Sequence, residues 1–179
     1  DCSLIDKHVK PQIHIKPELY VIAHNIRSMH NVGAIFRNAD AFGIAKIFLT
    51  GYTGIPPDSR IHKVALGAED FIPWEHNKSL ARVVTKLRKV GVNIVVLENN
   101  INRKTTLLSK YLPRLPLALI LGEEVNGNTK KILDLADDII EIPMSGQKES
   151  LNVSVACGIA LYGISVNGFF KESNKFNIT

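Results

Sequence analysis

The sequence predicts an α/β fold, a mostly parallel sheet flanked by helices. Three observations predict it. Short runs that are apolar almost throughout, such as Asn93-Ile-Val-Val-Leu97 and Leu117-Ala-Leu-Ile-Leu121, suit strands buried on both faces. Segments with apolar residues at helical spacing separate these runs. Several loops that follow the strands are rich in Gly, Asn, Glu and Ser, as expected where ligands meet the carboxyl ends of a parallel sheet.

Taken in order, Tyr20 to His24 reads as the first strand. Asn31 to Gly43 has apolar residues at 32, 35, 36, 39 and 42, one face of a helix that Asn31 is placed to cap. Lys46 to Thr50 is a second strand, closed by Gly51 and the turn-rich stretch 54–58. Lys78 to Val90 is an amphipathic helix, with Gly91 where a C-terminal cap would stand. Strands follow at 93–97 and 117–121, then a short helix at 128–135 and a last strand at 139–142. Ser150 to Val166 is the closing helix, with Ser150 as a natural cap and Asn152 in its first turn. The loops after residues 24, 97, 121 and 142 are where a ligand is expected.

The 179 residues suffice for one domain, with a short extension at 1–18 and a short tail at 167–179. With so short a stretch before the first strand, a further N-terminal domain is not expected in this sequence. Hydrophobic residues at 45% and charged residues at 22% fit a soluble globular chain. No apolar run reaches the roughly 18 residues a membrane span needs, because Asn152 and Ser154 interrupt the nearest candidate. Cys2 and Cys157 are the only cysteines, one terminal and one within an apolar helix, so a disulfide framework is not expected and a reducing cytoplasmic setting is. Net charge is +5; residues 60–114 hold eleven Lys or Arg against four Asp or Glu, while 134–141 is acidic. The basic stretch suits either a polyanionic partner or an ordinary solvated surface.

Three loops carry unusual chemistry. In the first, Gly33 and Arg37 lie about 40° apart on a helical wheel. Either the glycine clears space for a ribose-phosphate beside the guanidinium, or it packs a helix and Arg37 is a surface cation. The second, Leu121-Gly-Glu-Glu-Val-Asn-Gly127, places adjacent glutamates where nucleotide-phosphate folds place bare N–H groups. With no Gly-x-Gly-x-x-Gly and no P-loop, dinucleotide and NTP-hydrolase readings lose ground. The third runs from Ile142-Pro-Met-Ser-Gly146 into Ser150-Leu-Asn-Val-Ser154.

Together these loops resemble the three motifs of the SpoU/TrmH family of SPOUT RNA methyltransferases. Asn31-Val-Gly-Ala-Ile-Phe-Arg37 is similar to the first, residues 121–127 to the second, and Ile142-Pro-Met-x-Gly with Ser150 to Ala156 to the third. The resemblance implies a C-terminal deep trefoil knot, a rare exception to ordinary chain topology. It implies a homodimer with the active site near its interface, and transfer of methyl from S-adenosylmethionine to a ribose 2′-hydroxyl of RNA, with tRNA slightly favoured over rRNA. By the same carry-over Arg37 is the catalytic arginine and Asn31 supports it. Glu124, Ser150 and Asn152 complete the site, and Leu97, Gly122, Ile142, Met144 and Leu151 hold the cofactor. No metal is expected. The family's proposed arginine base is physically awkward, since a guanidinium pKa lies above about 12; orienting the ribose-phosphate and stabilising the alkoxide suit Arg37 better. The alternative from another class is a catalytically silent RNA-binding dimer of the same fold. A small-molecule methyltransferase is opposed by the basic middle region.

Overall fold

A computed structural model describes residues 19–123 and 127–168. Its strands are β1 (Leu19–His24), β2 (Lys46–Thr50), β3 (Trp74–Asn77), β4 (Asn93–Leu97), β5 (Thr106–Leu107), β6 (Leu117–Leu121) and β7 (Asp138–Glu141). Its helices are α1 (Met29–Ala41), α2 (Ser59–Ala65), α3 (Ala68–Phe71), α4 (Leu80–Lys89), α5 (Lys130–Leu133) and α6 (Val153–Gly168). The seven strands form one sheet in the order β3-β2-β1-β6-β4-β7-β5. Every pairing among them is parallel, so their carboxyl ends share one edge. The order is consistent with the knotted topology the resemblance implies.

Both faces of the sheet are covered, which is why the central strands are apolar in every register. Val21, Leu119 and Val95 point into a core closed by α1, α2 and α6. Ile22, Ile120, Ile94 and Val96 point the other way, onto α4 and α5. Each fully buried aliphatic side chain contributes roughly 1.5–3 kcal/mol, so the two layers hold the sheet edge rigid beneath its loops. Among the described residues no helix is long and apolar enough to cross a membrane.

The structure departs from the expected elements mainly at their ends. Helix α1 starts at Met29 because Ser28, not Asn31, is its cap: the Ser28 hydroxyl accepts from the Asn31 N–H at 3.3 Å. The helix expected at 128–135 contracts to the four residues of α5, and the last strand ends at Glu141. Helix α6 begins three residues after Ser150 and runs two beyond Val166. Its start is set by Asn152, whose Oδ1 accepts from the N–H groups of Ser154 at 2.9 Å and Val155 at 3.4 Å. Gly91 follows the α4 C-cap at φ +83°, as its placement implied. The short α2, α3, β3 and β5 are additional elements.

Candidate functional site

Three loops that leave the sheet edge enclose a cleft of about 400 Å³ at the ends of β4, β6 and β7. Leu97, Gly122, Ile142 and Leu151, which the resemblance implies hold the cofactor, line it together with Ser150. Met144, Asn31, Asn152 and Arg37 are not among its lining residues. Glu124 lies outside the described residues.

Side chains just past β4 organise the cleft. The Asn99 amide pairs with the backbone of Ile142, donating to its carbonyl at 2.7 Å and accepting from its N–H at 3.1 Å. Asn99 thus continues the β4–β7 pairing beyond the last strand residue. Asn100 donates to the Glu149 carbonyl at 3.2 Å, so adjacent asparagines hold both ends of the 142–149 loop. The Glu98 carboxylate accepts from the Asn128 backbone N–H at 2.6 Å and from its side-chain amide at 3.1 Å. That amide also donates to the Leu97 carbonyl at 3.1 Å.

These contacts explain two glycines of the second loop. A Cβ on Gly122 would stand 2.5 Å from Asn128 Oδ1, and one on Gly127 would stand 2.7 Å from Glu98 Oε2. Gly127 also has φ +61° and donates back to the Glu123 carbonyl at 3.0 Å. The sequence reading stopped at Leu97 and missed Glu98, Asn99 and Asn128. The available signal was an acid and two amides directly after a buried strand.

The first loop joins the third through Asn152, whose side-chain amide donates to Asn31 Oδ1 at 3.1 Å. Because Ser28 does the capping, the Asn31 side chain is available for that contact. Asn38 supports the same junction, donating to the Ser154 carbonyl at 2.8 Å. Gly33 is buried, and a Cβ there would lie 2.5 Å from the Ile61 carbonyl oxygen. It therefore admits α2 against α1, and the reading in which it clears space for Arg37 is set aside. Arg37 is exposed on α1 and makes no hydrogen bond or ion pair among the described residues.

Among the described residues that line the cleft, the charged ones are Glu98, Glu123 and Glu149, and Glu123 has the Arg27 guanidinium 3.0 Å away. Such a wall repels a phosphate and suits a ligand carrying positive charge. Asn128 Oδ1 is buried there with no hydrogen-bond partner among the described residues. Beside the cleft, burial holds the His24 imidazole below its ordinary pKa, partly opposed by Glu123, and His24 Nδ1 lies 2.9 Å from the Thr50 hydroxyl. The basic stretch is less available than its composition implied. Arg88, Arg103 and Arg114 pair with Asp137, Asp134 and Asp138 at 3.0, 2.7 and 3.1 Å, so the acidic run neutralises part of it. Arg60 and Lys86 also have carboxylate partners.

Known proteins share this fold. The profile of the SpoU rRNA Methylase family matches residues 18–162. The chain belongs to that family. Among curated relatives of this SpoU chain, a 23S rRNA (guanosine-2′-O-)-methyltransferase RlmB from Nitrosomonas europaea is 37% identical over 142 residues, 79% of this chain and 54% of the relative. The RlmB of Vibrio vulnificus is 34% identical over 162 residues, 89% of this chain and 61% of the relative. The SpoU chain thus spans little more than half the length of these relatives. An AdoMet-bound rRNA methyltransferase from Sinorhizobium meliloti superposes with TM-score 0.76 at 26% identity, over 83% of this chain and 56% of that one. The A. aeolicus TrmH/SpoU tRNA modifying enzyme superposes with TM-score 0.77 at 27% identity, over 89% and 78% respectively.

Proposed function

We propose that this SpoU-family chain transfers methyl from S-adenosylmethionine to a ribose 2′-hydroxyl of RNA, with rRNA as the substrate class. The observation that carries the reading is the cleft itself, assembled from the second and third motifs and walled by carboxylates. Its residues fit the cofactor. Apolar Leu97, Ile142 and Leu151 offer surface to an adenine, and the acidic wall suits sulfonium and ammonium charges. When bound, the cofactor supplies an electrophilic methyl group.

The chain's own groups do the rest. Asn31 and Asn152 hold the first and third loops together at 3.1 Å, and Ser150 lines the cleft. Arg37 offers the RNA a planar guanidinium with several N–H donors. As a fixed cation it orients the ribose-phosphate and stabilises the developing alkoxide. The 2′-hydroxyl nucleophile accounts for choice of RNA over DNA.

A homodimer belongs to this reading. Helix α6 buries Cys157, Ala160, Leu161 and Ile164 against the core while Val155, Ile159 and Tyr162 remain 50%, 39% and 60% exposed along its other side. A helix apolar on both sides calls for a second packing surface, and a second copy of the chain fits it. Residues 1–179 are read as one methyltransferase domain, and a cytoplasmic setting fits an rRNA substrate.

The preference for rRNA reverses the expectation of tRNA. It is supported by the relatives of Nitrosomonas and Vibrio, whose names specify 23S rRNA. The test is transfer of labelled methyl to unmodified 23S rRNA and, separately, to bulk tRNA, followed by nucleoside analysis. A 2′-O-methylated nucleoside from rRNA alone is expected; label confined to tRNA would overturn the substrate assignment.

A further inference from the structure

Tyr52 stands on the loop after β2, at the same edge of the sheet as the cleft, with 52% of its surface exposed. Arg27, from the loop after β1, places its guanidinium carbon 5.9 Å from the Tyr52 ring centroid, and its Nε donates to the phenol oxygen at 3.4 Å. At its other end Arg27 Nη2 lies 3.0 Å from Glu123 Oε1, and Glu123 is a wall of the cleft. One arginine therefore joins the cleft wall to an open aromatic ring.

A single exposed tyrosine is ordinary; what distinguishes Tyr52 is the bracing beneath it. Asn25 Oδ1 accepts from the Tyr52 N–H at 3.2 Å. The Ile26 N–H donates to the buried Thr53 hydroxyl at 3.0 Å, and that hydroxyl donates to the Ala23 carbonyl at 3.0 Å. A Cβ on Gly51 would stand 1.9 Å from Asn25 Oδ1, so the two loops interlock at backbone distance. The backbone that carries the ring is held in place before anything binds, which lowers the entropy cost of stacking on it.

We propose that Tyr52 and Arg27 form a stacking platform for a nucleobase of the RNA, next to the ribose that receives the methyl group; the proposal rests on the RNA-directed reading above. Bases splayed out of single-stranded RNA are held on aromatic faces and guanidinium planes. The Glu123 carboxylate balances the Arg27 charge, so the platform suits the face of a base and not a phosphate. Tyr52 is thus a positioning residue for RNA, with no part in holding the cofactor.

The experiment measures binding of unmodified, transcribed 23S rRNA to the wild-type chain and to Tyr52→Ala, Tyr52→Leu and Tyr52→Phe variants across a salt series. Methyl-transfer kinetics and S-adenosylmethionine calorimetry are run alongside. Loss of one stacked base weakens binding roughly five- to hundredfold. The Ala and Leu variants should show that loss as a raised KM for RNA, with kcat, cofactor affinity and salt slope unchanged; the Phe variant should bind as wild type. The Leu variant keeps apolar bulk and guards against a packing defect in the Ala variant. Wild-type affinity in both Ala and Leu variants, or a Phe variant as weak as Leu, would overturn the platform. Tyr52-dependent rRNA binding by a wild-type chain that transfers no methyl would support the platform and overturn the transfer reading.

Discussion

The Asn152 side chain donates to Asn31 Oδ1 at 3.1 Å across 121 positions of sequence. The same Asn152 starts α6 by accepting from the Ser154 N–H at 2.9 Å. One residue thus ends the third loop and ties it to the first. The two roles separate by substitution. Asn152→Ala should lower stability by about 1 kcal/mol through the lost cap, seen as a shift in urea midpoint. Asn152→Ser keeps a capping oxygen but is too short to reach Asn31. It should hold wild-type stability and still lose most methyl transfer; full activity in the Ser variant would remove the Asn31 link from the account.

Glycines of the second and third loops should respond differently to a methyl group. Gly122→Ala drives a Cβ to 2.5 Å from Asn128 Oδ1, and such overpacking costs roughly 1–3 kcal/mol. It should also weaken S-adenosylmethionine binding, measured by calorimetry. Gly146, in the third loop, has nothing within 4 Å of an added Cβ, so Gly146→Ala should match wild type in stability.

Much of this was legible in the sequence. Strands β2, β4 and β6 match their expected ranges because an unbroken apolar run between two covered faces has few alternatives. The additional elements lacked that signal. The edge strand β3 reads Trp-Glu-His-Asn, β5 has two residues, and α2 is seven residues long behind a Pro-rich turn. Of the site, the cleft-lining positions 97, 122, 142, 150 and 151 were readable from loop position and resemblance. The Glu98–Asn128 network was not, because it joins residues 30 apart through side chains whose pairing has no local pattern.

Gly33 shows the same limit. Its neighbour is the Ile61 carbonyl of α2, a helix the sequence did not reveal. Gly33→Ala should destabilise the chain by roughly 1–3 kcal/mol while leaving cofactor affinity per folded molecule unchanged; a wild-type melting temperature would contradict the α1–α2 contact.

The Cys157 thiol, fully buried, is pushed up from 9.0 to about 12. Since its folded pKa is raised, the folded state holds the proton while the unfolded state releases it above about pH 9. The stability it contributes is complete below pH 9 and declines as pH rises toward 12. In a Cys2→Ser background, alkylation at pH 8 should be slow in the native chain and fast in urea. Cys157→Ala should flatten the alkaline decline, and an unchanged decline would assign it elsewhere.

The most direct test of the central claim pairs two readouts on Arg37→Ala and Arg37→Lys: S-adenosylmethionine affinity, and single-turnover transfer to unmodified 23S rRNA with nucleoside analysis. Arg37 is exposed and stands outside the cleft lining, so both variants should bind the cofactor as wild type. Wild type should yield a 2′-O-methylated nucleoside and both variants essentially none. Methyl on a base, or a lysine variant with full turnover, would contradict the account.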